Sequence, residues 1–200
     1  VYLDADIVLP PGALDALAGA LGRAGEDGVT PLAVVPRRAL DVTGRPLLVR
    51  GFYAINSRLP AYHHALFGRG VIALSEEGRA RFDRFPEMIA DDLFLDSQFD
   101  TAEKHEVAAV SARVATPRRT RDLVRRLTRL RAGNKALRRS ATGVRPAVRT
   151  SWLRDVVLPR PWLAPAAVCY VGLILTAELS ARRSAPIEWG HDGSTREAAS

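Results

Sequence analysis

A layered α/β domain is the fold class this sequence predicts, and three observations predict it. The chain opens on VYLDADIVL, an apolar run with the character of a strand. Strand-like and helix-like segments then keep alternating, the order that builds a sheet covered by helices. Finally, 47% apolar and 26% charged residues over 200 positions supply a core for one domain and argue against disorder throughout.

The opening strand is apolar enough to need neighbours on both sides, so part of the sheet is expected upstream of Val1. PPGALDALAGALGRAG then carries Leu14, Leu17, Ala18 and Leu21 at helical spacing, between a proline start and a glycine stop. PLAVVPRR predicts a short strand, and after the turn-like DVTGRP the segment PLLVRGFYAIN predicts a longer extended stretch. ALFGRGVIALSEEGRARF reads as a glycine-containing loop, a short strand and a helix capped by Ser75, with Glu76 and Glu77 in its first turn. MIADDLFLDSQF predicts a loop entering a helix, and HEVAAVSARV predicts a strand.

TRDLVRRLTRLRAG predicts an amphipathic helix capped by Thr120, with Leu123, Val124, Leu127 and Leu130 on one stripe and arginines over the rest. Residues 1–135 are thus expected to form the folded domain. The next segment, 136–160, lacks periodicity and reads as a basic connector. Residues 161–183 hold an apolar stretch whose one charge before Arg182 is Glu178, close to the roughly twenty residues a membrane span needs. Pro165 and Glu178 also fit a helix lying at the interface, and a helix packed on the domain's own core would bury the same side chains. The polar residues 184–200 predict a flexible tail.

Charge is unevenly placed on this chain of net +7. From Arg113 to Arg149 there are twelve arginines and Lys135 against a single acid, Asp122. Such a strip calls for an anionic partner: a diphosphate, acidic headgroups or nucleic acid. Nucleic acid is disfavoured, because no aromatic residue interleaves the strip for base stacking. The lone Cys169 excludes an internal disulfide and a cysteine-based metal site.

Three groups of residues carry candidate chemistry. Asp4 and Asp6 are two apart, so on an extended strand both carboxylates point to one side and can hold a hard divalent cation, Mg²⁺ or Mn²⁺. Asp91 and Asp92 are adjacent at a predicted helix start, with Asp96 one turn later, and one of the pair is a candidate general base. Arg126 and Arg129 are three apart on one helical face, the spacing for paired guanidinium groups on phosphate oxygens. His63, His64 and His105 are weaker candidate metal ligands.

In that order, the three groups resemble family 2 glycosyltransferases. LDAD is similar to their DxD motif and IADD to their acidic motif, while RLTRLRAG departs from QxxRW at Arg126 and Leu130. The resemblance covers about residues 1 to 135. It implies the C-terminal part of a Rossmann-like A-type domain, with a mixed sheet, flanking helices and then the apolar helix. It further implies that Asp4 contacts the donor's ribose or sugar while Asp6, with Asp4, holds the metal. Asp92, or else Asp91, would be the base, and Arg126 and Arg129 would bind the donor's diphosphate. Gly68, Arg69 and Gly70 would form the acceptor-side loop. The implied partners are a nucleotide-diphosphate sugar and a glycan or lipid-linked acceptor, at the cytoplasmic face of a membrane reached peripherally or by a single pass.

Two rival readings remain at this level. LDADIVL also resembles the start of haloacid-dehalogenase-like phosphatases, whose first aspartate is a nucleophile. Those enzymes need a basic residue between their acidic motifs, and the only lysines here, Lys104 and Lys135, both follow Asp92. The other is a basic interaction domain that binds nucleic acid by counterion release alone.

Overall fold

The computed structural model describes residues 1–5, 7–25, 28–63, 65–85, 91–140 and 150–183, the side chains of 132–140 and 183 excepted. The chain is α/β and divides into two compact units. One comprises Val1–Asp41, His64–Val114 and Gly143–Arg145; the other comprises Val42–His63, Ala115–Thr142 and Pro146–Ser200.

The first unit is built on a four-stranded sheet of order β1-β3-β2-β4. The strands are β1 (Tyr2–Leu3), β2 (Ala33–Asp41), β3 (Val71–Leu74) and β4 (Lys104–Ala115). β3 runs antiparallel to both neighbours, pairing Tyr2 with Ile72 and Ala33 with Leu74. Alternation along the strands sends residues to two separate cores, as a pleat of period two requires. Ala33, Val35 and Ile72 join Leu66, Phe82, Leu95 and Phe99 on one face. Val34, Val71, Ala73 and Ala112 pack with Leu17 on the other.

Leu17 comes from α1 (Ala13–Leu21), and Leu95 from α4 (Asp91–Ser97), so helices cover both faces. Between them lies the four-residue α3 (Glu76–Arg79), where the Ser75 Oγ accepts from the Gly78 N–H at 3.0 Å as the sequence predicts.

The second unit is helical: α2 (Leu47–Asn56), α5 (Thr120–Ser140) and α6 (Ala164–Arg183), with a wide helical turn at Trp152–Val157. Its core joins Ile55, Leu59, Val156, Val157 and Ala167. α2 and α6 approach closely at Gly51, where a Cβ would fall 2.9 Å from the Cys169 Cβ. Phe52 stacks on Tyr170 alongside, at 5.2 Å.

Three expectations are corrected here. PLLVRGFYAIN is not extended but contains α2, whose buried Val49, Phe52, Tyr53, Ile55 and Asn56 recur at helical spacing behind Pro46. Tertiary packing against α6 overrides the strand propensity of its β-branched and aromatic residues. The opening strand ends at Leu3, because the Ile7 N–H closes a turn on the Asp4 carbonyl at 3.1 Å. α5 continues through Ser140, into the segment read as a connector. Residues 141–149 of that segment, and the tail 184–200, lie outside the described residues.

Candidate active site

The site grows from a loop. Between Ala65 and β3, Gly68 and Gly70 both take positive φ, 69° and 71°, which glycine tolerates and other residues rarely adopt. At Gly70 space adds a second demand, since a Cβ there would sit 2.4 Å from the Ile7 Cγ1 and 3.3 Å from the Asp4 Oδ2. Asp4 is thus packed over the glycine. Its N–H also donates to the Gly70 carbonyl at 2.9 Å, continuing the β1–β3 ladder by one rung. The strand reading of LDAD is corrected for Asp4, which stands exposed just past β1, where the Ile7 N–H closes a turn on its carbonyl.

The other end of the loop is held by α4. The Asp92 Oδ2 accepts from the Gly68 N–H at 3.0 Å, and one turn on, the Asp96 Oδ1 accepts from the Leu66 N–H at 2.7 Å. Residues four apart share a helical face, so α4 turns two carboxylates onto one loop. Lys104 Nζ, 3.0 Å from Asp96 Oδ1, balances the second. Asp91 is exposed and accepts from the Asp92 N–H at 2.9 Å. The Asp92 Oδ1 accepts from the Leu93 N–H at 2.8 Å, which fixes the carboxylate's orientation.

Arg69, between the two glycines, turns inward. It is 3% exposed, its Nε donates to the Ala65 carbonyl at 3.0 Å, and its Nη1 donates to the Pro36 carbonyl at 3.1 Å and pairs with Glu106. The sequence suggested a loop residue facing a ligand. The structure gives a side chain that fastens the loop to β2 and β4, so Arg69 is a positioning residue. Sequence reasoning did not single out Glu106 and Lys104, although two opposite charges two apart at the start of β4 were a signal.

The remaining candidates are placed as follows, each within its own unit or outside the described residues. Arg126 and Arg129 are half-buried on α5, in the helical unit. Asp6 and His64 lie outside the described residues, while His63 and His105 are exposed. An open cleft of about 710 Å³, lined by Leu21, Thr30, Glu76 and Glu77 among others, lies beyond the far end of β3 by Ser75, away from Asp4 and Gly70.

Among the described residues, no group of three or more His, Cys, Asp or Glu side chains is placed to hold a metal by protein ligands alone. Asp4 offers one exposed carboxylate. That fits Mg²⁺ or Mn²⁺, which take one or two carboxylates and complete their shell with water and substrate phosphates. Comparison with family models, curated proteins and solved structures returned no match to this chain.

Proposed function

We propose that the chain is the catalytic part of a metal-dependent, inverting glycosyltransferase resembling family 2, with a Rossmann-like A-type fold. It moves a sugar from a nucleotide-diphosphate donor to a hydroxyl of a glycan or lipid-linked acceptor. The observation that carries the reading is the joining of two acidic groups: Asp4 at Gly70 and Asp92 at Gly68, the two ends of one tripeptide. These residues are some ninety positions apart in the chain, yet a single loop sets both.

In this reading Asp4 faces the donor, and Asp6 is its partner in the same motif. Asp92 takes the proton from the acceptor hydroxyl as that oxygen attacks the anomeric carbon. The bond from that carbon to the diphosphate oxygen breaks, and its electron pair leaves with the nucleoside diphosphate. One displacement inverts the anomeric configuration. Bound Mg²⁺ or Mn²⁺ would supply neutralisation of the leaving diphosphate's charge. Arg126 and Arg129 are assigned to its oxygens by their spacing on α5. Arg69 and Glu106 hold the loop still.

The 22 residues Pro161–Arg182 form a helix long and apolar enough to span or attach to a membrane. Positive charge beside it favours the cytoplasmic face.

The test is to incubate the purified protein with UDP- and GDP-hexoses, Mn²⁺ and glycan or polyprenyl-phosphate acceptors, and to measure release of nucleoside diphosphate. Release that stops with excess chelator is expected. Orthophosphate release from phosphomonoesters, with no donor consumed, would favour the phosphatase reading instead.

A further inference from the structure

We infer that α6 lies in the plane of an acidic bilayer surface, inserting one face only, and does not cross the membrane. This rests on the membrane attachment proposed above and is independent of the transfer chemistry.

The periodicity of α6 divides it sharply. Pro165, Val168, Gly172, Leu175 and Leu179 follow one another at steps of three and four, and all are exposed. Val168 is 74%, Leu175 56% and Leu179 53% exposed, although each is aliphatic. Leu173 and Ala177, on another side of the helix, are buried against the rest of the helical unit. The exposed row carries no charge for about 21 Å, at 1.5 Å per residue, until Arg182 ends it. Trp162, 71% exposed, stands just before the helix, close in sequence to Arg160.

The packed side of α6 is committed. Gly51 of α2 abuts Cys169, and Glu178 pairs with Arg131 of α5 and, at 3.2 Å, with Arg182. A crossing helix would have to give up these partners or draw a helix bearing Arg121, Arg125 and Arg129 into hydrocarbon, which is costly. A half-buried helix with an apolar outer row and cationic ends matches the interfacial mode, in which the apolar face sinks about 5–10 Å.

Charge chooses the occupant. The helical unit's sequence holds nineteen Lys or Arg against six Asp or Glu, which suits anionic headgroups and opposes pairing with a second copy.

The experiment uses the whole protein with Trp152 and Trp189 replaced by Phe, leaving Trp162 as the reporter. It is mixed with vesicles of phosphatidylcholine alone or with one-third phosphatidylglycerol. Flotation with the acidic vesicles, weakened in high salt, is expected, with Trp162 quenched most by bromines near the headgroup end of the acyl chain. Val168→Gln with Leu175→Gln, a pair whose unchanged circular dichroism shows the fold intact, should lower partitioning about tenfold or more.

Maximal quenching by bromines at the chain ends together with residues of α6 protected from protease inside the bilayer would overturn the in-plane assignment while keeping attachment. No flotation with acidic vesicles would overturn both without touching the transfer reading. A dimer in sedimentation that the double variant dissociates, with vesicle binding unchanged, would overturn the lipid assignment and give the face to a second copy.

Discussion

Arg69 of the sheet unit keeps 4% of its side chain exposed between Pro36, Ala65 and Glu106, whereas Arg125 of the helical unit keeps 75% in water, 3.9 Å from Asp122. The sheet unit's sequence has ten basic residues against sixteen acids, and its described acids at Asp92, Asp96 and Glu106 are tied to one loop. The helical unit reverses the balance, and Arg121 and Arg125 of α5 stand exposed. Charge fixes geometry where it is enclosed and recruits partners where it is solvated, because solvent screens the exposed pairs and leaves the enclosed ones strong.

Arg69→Met set against Arg125→Met separates the enclosed charge from the solvated one by the largest margin. Losing the enclosed guanidinium strands two carbonyls and a carboxylate, so the first should cost about 3 kcal/mol in urea unfolding, and the second under about 0.5 kcal/mol. Equal losses would show that burial does not distinguish the two arginines.

A glycine pair sharpens the point next. Gly70→Ala meets Ile7 at 2.4 Å and holds a positive φ, so a loss of about 2 kcal/mol or more is expected. Gly172→Ala points into open space on α6 and should stabilise the helical unit by about 0.5–1 kcal/mol, read from its melting temperature.

The smallest effect concerns Asp155, in the wide turn of the helical unit. Its carboxylate accepts from the Ser151 N–H at 2.7 Å and, second, from Arg154, which together hold it below the ordinary aspartate range. A carboxylate depressed in the folded state stabilises above its unfolded value, about 3.9, and that contribution is lost as pH falls through the lower folded value. Protection of the Val156 and Val157 amides, relative to their intrinsic exchange at each pH, should therefore fall selectively in that acidic window, and Asp155→Asn should remove that fall.

Much of the sheet unit was legible because its signals are local. Ser75 ahead of two glutamates, the prolines and glycines around α1, and the alternation in β4 each act over a few residues. α2 was misread because Val49, Phe52, Tyr53 and Ile55 have strand propensity, and only contact with α6 decides the matter. In the site, Asp4 and Asp92 stand out by residue type, and the glycines by their spacing. The inward turn of Arg69 depends on Pro36 and Glu106, each more than thirty residues away, and no local pattern encodes it. The end of β1 was equally hidden, since the Ile7 N–H closes its turn on the Asp4 carbonyl inside a run that is apolar enough to read as strand throughout.

The role of Asp92 is decided by comparing Asp92→Asn with Asp91→Asn in the full protein, following both sugar transfer and donor binding. If Asp92 takes the acceptor's proton, its variant loses about 10²-fold or more in turnover while donor affinity stays within about twofold. Asp91→Asn, whose carboxylate is exposed and accepts from the Asp92 N–H, keeps most of its rate. Normal transfer by Asp92→Asn, or the larger loss at Asp91, would contradict the account.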